Sequence, residues 1–100
     1  MATYNGADYF QEQLSSIERQ SHEDWALYIT DDHSTDPTGR QIAEATRRDS
    51  RVHALPPPEF GGSAKANFLS GLRLLPSGPV MLCDQDDWWF EDKVSLAVSE

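Results

Sequence analysis

The chain has 100 residues, enough for one small domain, and 38% of them are hydrophobic, which is lean for a globular domain yet well above the disordered class. Its 17 acidic and 8 basic residues leave a formal net charge of -9. This argues against nucleic acid or an anionic membrane as partner, and fits a metal or a ligand that arrives with one. The single cysteine, Cys83, excludes an internal disulfide and reads as a small buried hydrophobe in a protein of a reducing compartment. No apolar run reaches the length of a membrane span and no signal peptide opens the chain. The expectation is a cytoplasmic location, with membrane association through regions outside these 100 residues left open.

"MATYN" reads as the end of a strand, stopped by Asn5-Gly6. "ADYFQEQLSSIERQ" follows, with Phe10, Leu14 and Ile17 on one helical face. "WALYIT" is rich in strand formers and gives way to the polar loop "DDHSTDPTG". In that loop Asp36 is a good N-cap and Pro37 suits a first helical position, so a second helix is expected through Ile42 and Ala45 to about Arg48. "RVHAL" reads as a third strand and "PPPEFGG" as a loop. "SAKANFLSGLRLL" is expected to be helical, with Phe68, Leu72 and Leu75 on one face, up to Pro76-Ser77-Gly78. "PVMLC" is expected to be a fourth, fully buried strand, and residues 91–100 begin a last helix.

Strands alternating with helices in this way predict an α/β fold, a parallel sheet with helices on both faces. Ligands in such sheets bind beyond the carboxyl ends of the strands, where the polar clusters of this chain fall. Thr3-Tyr4-Asn5 follow the first strand, Asp31-Asp32 the second and Asp84-Gln85-Asp86-Asp87 the fourth.

Asp84 and Asp86 stand two apart, so on a strand both carboxylates point to the same side. Such a pair suits a clamp for Mg²⁺ or Mn²⁺ on a diphosphate, or else a turn or cap. Calcium binding of the EF-hand type fails for want of the glycine at the sixth loop position. Asp31-Asp32 suit either a turn leading into a capped helix or an acceptor for a nucleobase or ribose. Tyr4 suits a packed aromatic or a ring stacked on a base. Lys65 follows Gly61-Gly62 at a helix start, where it either meets a phosphate or is solvated. Trp88 and Trp89 anchor the last helix or wall the site from water, with core packing of at least one expected. His22, His33 and His53 share no ligand spacing.

"ATYNGADYFQEQLSSIERQS", "ITDDHSTDPT", "GGSAKANF" and "MLCDQDDWWFEDK" resemble, in order and spacing, the motifs of family 2 glycosyltransferases. The resemblance covers practically the whole chain. It implies a GT-A (Rossmann-like) fold, here truncated, with residues 1–100 as the nucleotide-sugar-binding portion. It implies transfer of a sugar, with inversion and a divalent metal, from a UDP- or dTDP-linked donor to a glycan or lipid-linked acceptor, as in polysaccharide biosynthesis. Thr3 and Tyr4 would sit at the nucleoside, and Asp32, with Asp31 beside it, would hydrogen-bond the base. Lys65 would face the nucleotide. Asp84 and Asp86 would form the D-x-D pair touching ribose and metal, with Asp87 sharing either role. The "CDQDDWW" form is common among rhamnosyltransferase-like members.

His33 stands where the family usually has glycine or asparagine. The family also has several more apolar residues before Met1, so the short first strand is expected to leave a gap in the core and an exposed sheet edge that favours self-association. The acceptor half and the catalytic base are expected beyond Glu100, with Glu91 and Asp92 better explained by a helix N-terminus. A catalytically inactive nucleotide or metal binder would share the same site. A phospho-accepting receiver-like domain fits poorly, because no acidic pair follows the first strand.

Overall fold

The computed structural model describes residues 1–58, 67, 69, 71–76, 80–83 and 89–99. Its elements run β1 (Ala2–Thr3), α1 (Ala7–Glu18), β2 (Leu27–Asp31), α2 (Thr38–Arg48), β3 (Val52–Ala54) and α3 (Lys93–Ser99). The strands form a parallel sheet in the order β1-β2-β3. Ala2 pairs with Thr30 and Thr3 with Asp31, while Leu27, Tyr28 and Ile29 face Val52, His53 and Ala54.

Phe10, Leu14 and Ile17, spaced by a helical period, are all buried, as the sequence predicts. They form one core cluster with Leu27 and Ile29 of β2, Ile42 and Ala45 of α2, and Val52 of β3. Right-handed crossovers that step the same way along a sheet put their helices on one face, and α1 and α2 do pack together. Burial of Phe10, Leu14 and Ile29 contributes about 1.5–3 kcal/mol each before the entropy of ordering is counted.

The opposite face of β2 carries Tyr28 and Thr30. Tyr28 stacks on His53, with ring centroids 4.9 Å apart. Gly71 lies against Thr30 so closely that an added Cβ would come within 2.5 Å of the Thr30 hydroxyl oxygen. Asn67, Leu69, Gly71 and Leu72 are helical, in line with the helix expected there. Its buried side differs from expectation, however. Asn67 and Gly71, one turn apart, face the sheet, whereas Leu72 is exposed and Phe68 lies outside the described residues. Side-chain volume decides this, since the close approach to Thr30 leaves room for a glycine and none for a leucine.

The fourth strand is the other departure. Residues 80–83 form no strand; Cys83 is buried in the core, while Val80, Met81 and Leu82 are exposed. Among the described residues, β1 pairs with β2 alone. A cavity of about 760 Å³ is lined by Met1, Trp25, Leu72, Leu75, Val80 and Met81 among others. Trp89 and Val94 join the core, so one of the two tryptophans packs as expected; Trp88 lies outside the described residues.

Candidate functional site

Parallel pairing brings the carboxyl ends of β1 and β2 level, with Thr3 beside Asp31. The Thr3 hydroxyl donates to Asp31 Oδ1 at 2.6 Å. Ser34 donates its hydroxyl to the same oxygen at 2.6 Å and its backbone N–H to Oδ2 at 3.0 Å. Asp31 thus caps its own turn while holding the end of β1. Asp32, 7% exposed, donates its backbone N–H to the Thr3 carbonyl at 2.9 Å. Tyr4 projects outward, 57% exposed.

The loops after the two strands are braced together. Asn5, at a left-handed φ of 45°, accepts from the Thr35 N–H at 2.8 Å, and its own N–H donates to the Ser34 hydroxyl at 2.8 Å. Asp36 accepts from the Thr38 backbone N–H at 3.0 Å through one oxygen and from the Ala7 N–H at 3.1 Å through the other. One carboxylate therefore serves the first turns of both α1 and α2, where unpaired N–H groups favour negative charge. The Thr38 hydroxyl, its strongest partner, and then the backbone bonds hold the Asp36 carboxyl below its ordinary pKa, against some opposing desolvation. Asp36 fulfils the capping role read from the sequence; its reach to Ala7 was missed.

His33 adopts a φ of 54°, the backbone region that favours glycine and asparagine. Its Nε2 lies 3.0 Å from the Pro58 carbonyl, which ties the loop after β3 to the same edge. Three loops thus meet at the carboxyl end of the sheet, where ligands bind in folds of this kind.

Two buried polar residues behind this edge were missed in the sequence. Asn67 Nδ2 donates to the carbonyls of both Thr3 and Thr30, at 3.1 Å each. No local pattern marks it, since both carbonyls lie far back along the chain. Gln20, at the end of α1, donates to the Phe90 carbonyl at 2.7 Å and accepts from the Val94 N–H at 2.9 Å. It fixes the chain shortly after the acidic cluster, while the buried Cys83 fixes it just before.

Lys65, Asp84, Asp86 and Asp87 lie outside the described residues. Among the described residues, no group of three or more His, Cys, Asp or Glu side chains could hold a metal ion, and no helix is long and apolar enough to cross a membrane.

Comparison with known proteins adds the chemistry that this geometry lacks. The model of the family described as Glycosyl transferase family 2 matches residues 1–100. The dTDP-rhamnosyl transferase RfbG of Shigella flexneri is 38% identical over 98% of this chain and 35% of its own. The UDP-Glc:alpha-D-GlcNAc-diphosphoundecaprenol beta-1,3-glucosyltransferase WfgD of Escherichia coli is 28% identical over 99% of this chain and 38% of its own. The crystal structure of TarS residues 1-349 from S. aureus in complex with UDP-GlcNAc superposes with a TM-score of 0.79 at 26% identity. That match covers 98% of this chain and 28% of the other. The 100 residues thus span about a third of the length of such relatives.

Proposed function

The chain belongs to glycosyl transferase family 2, and from that premise we propose that it carries the donor site of an inverting, metal-dependent glycosyltransferase. The observation that carries the reading is the convergence of Tyr4, Asp31 and Asp32 at the carboxyl edge of a sheet whose fold matches a UDP-GlcNAc complex. Asp32 would accept from the base and Asp31 would hold the turn that presents it, with Tyr4 against the nucleoside at the end of the strand that Thr3 locks in place. Lys65 would meet the phosphates. The nucleotides named for RfbG, WfgD and TarS are dTDP and UDP, both with a pyrimidine base, which supports a pyrimidine nucleotide sugar here.

Asp84 and Asp86, with Asp87 sharing the role, would hold Mg²⁺ or Mn²⁺. Carboxylate oxygens suit these hard cations, and Cys83 before them and Trp89 after them are both buried. When bound, such a cation stabilises the charge that grows on the departing nucleoside diphosphate. In the reaction an acceptor hydroxyl oxygen bonds to the anomeric carbon from the face opposite the diphosphate. The bond from that carbon to the phosphate oxygen breaks, its electron pair leaves with the diphosphate, and a general base takes the hydroxyl proton. We place that base and the acceptor site, for a glycan or a lipid-linked sugar, outside residues 1–100, and the donor site on the cytoplasmic side. Self-association through the apolar cavity rim is part of the same proposal.

The test is titration calorimetry of UDP and dTDP, with and without Mn²⁺, on the wild-type chain and on Asp86→Ala. Metal-dependent binding lost in the variant supports the reading. Binding that is indifferent to both the metal and Asp86 sinks the metal role. No binding by a folded chain sinks the donor site within these residues.

A further inference from the structure

We propose that Asn67 is a positioning residue for the nucleotide-facing edge: its amide pins the ends of β1 and β2 in the register that presents Tyr4 and Asp32. This rests on the donor-site reading for its functional half only.

Asn67 is 3% exposed, and its Nδ2 donates at 3.1 Å to two carbonyls on neighbouring strands, those of Thr3 and Thr30. The Thr3 carbonyl also accepts the backbone N–H of Asp32 at 2.9 Å. A single carbonyl oxygen, with two lone pairs, therefore joins the pin to the residue assigned to the base. Four residues after Asn67, Gly71 rests on the Thr30 side chain, so both contacts of this helical turn fall on the same strand position. The turn is seated across the β1–β2 seam at two points, one polar and one steric.

The other end of the amide supplies an independent reason. Asn67 Oδ1 is buried and has no hydrogen-bond partner among the described residues. An unsatisfied buried acceptor is unfavourable, and such groups are rare enough in folded proteins to call for an explanation. A side chain selected for packing alone would not retain it. The two-pronged donor explains it, because no smaller or purely apolar residue reaches both carbonyls. β1 has only two residues with which to hold its place, so the pin acts where the sheet is least secured by its own ladder.

The experiment is amide hydrogen exchange by NMR combined with UDP and dTDP titration in the presence of Mn²⁺. It uses the wild-type chain, Asn67→Ala, Asn67→Ser (which keeps one donor) and the exposed control Leu69→Ser. In Asn67→Ala, exchange at the Asp32 amide should speed up about tenfold or more. The Leu55 amide, bonded to Ile29 on the β3 side, should hold its wild-type rate. Nucleotide affinity should fall about five- to tenfold, Asn67→Ser should lie between, and Leu69→Ser should match wild type. Unchanged exchange at Asp32 overturns the pin. Faster exchange with undiminished nucleotide affinity overturns the positioning role and leaves a structural one. If Asn67→Ala fails to fold, Asn67→Ser decides both points. A wild-type chain that binds no nucleotide removes the donor site, and with it the positioning role, while the exchange rates still decide the pin.

Discussion

Thr3 and Asp31 are register partners on adjacent strands, and the buried Thr3 hydroxyl donates to the Asp31 carboxylate at 2.6 Å. The bond links the last residue of β1 to the last residue of β2 and needs no ligand to form. Thr3→Val keeps the shape of the side chain and removes the donor. Urea unfolding should show a loss of about 1.5–3 kcal/mol, the range for a hydrogen bond to a charged group. A change within error would mean that Ser34 alone satisfies Asp31.

Asp36 should make the fold acid-sensitive in a narrow window. Its pKa in the folded chain lies below the ordinary 3.8, chiefly through the Thr38 hydroxyl. A carboxylate depressed by folding adds stability above its unfolded pKa and loses it as pH falls toward the folded value. The melting temperature should therefore hold from neutral pH to about 5 and drop below about 4. Asp49, also lowered, through its side-chain bond from Arg51, adds to the same drop. Asp36→Asn should flatten part of the profile, and parallel profiles for the two proteins would refute the linkage.

Gly71 admits no side chain without a shift of Thr30, whose hydroxyl oxygen would lie 2.5 Å from an added Cβ. Gly71→Ala should destabilise the chain by about 1–3 kcal/mol. Adding Thr30→Ala removes the obstructing atom, so the double mutant should recover part of the loss. A double-mutant cycle with no coupling would show that the helical turn simply moves away.

His33 separates backbone from side-chain effects. A β-branched residue at φ 54° is strained, so His33→Val should cost about 1–2 kcal/mol. His33→Gly relieves the backbone while losing the bond to Pro58, and thermal melts should place it within about 0.5 kcal/mol of wild type.

The apolar rim should be measurable in solution. Leu82 and Val98 both line the cavity and are 59% and 61% exposed. The wild-type chain should bind a hydrophobic dye and sediment with concentration-dependent association. The double substitution Leu82→Lys, Val98→Lys should reduce both and leave the melting temperature nearly unchanged, since neither side chain is buried. Dye binding and sedimentation like those of wild type would show that the rim does neither.

Periodicity made much of this fold legible. Phe10, Leu14 and Ile17 announce α1, and the Asp36-Pro37 pair announces α2 within a residue or two of where it begins. The loops that follow the first two strands were equally readable, because turn and capping residues carry their geometry locally. The "PVMLC" segment was not, since an apolar run specifies burial without specifying a strand to pair with. Asn67 and Gln20 were illegible for a related reason. Their meaning lies in partners 37 to 74 positions away, which no local pattern specifies. Gly71 drew no attention in the sequence, yet its missing side chain is what lets it approach Thr30.

The brace that Asp36 provides also bears on the order of events in folding. Its bond to Ala7 spans 29 positions, and the Gly6–Thr38 bond beside it spans 32. Both bonds close long loops, whose entropy must be offset before they contribute, so they are expected to form late in folding. Removing the carboxylate should leave the refolding rate nearly as it was and show itself almost wholly as faster unfolding. The brace would then govern how long each folded molecule lasts, with little influence on how quickly it is made.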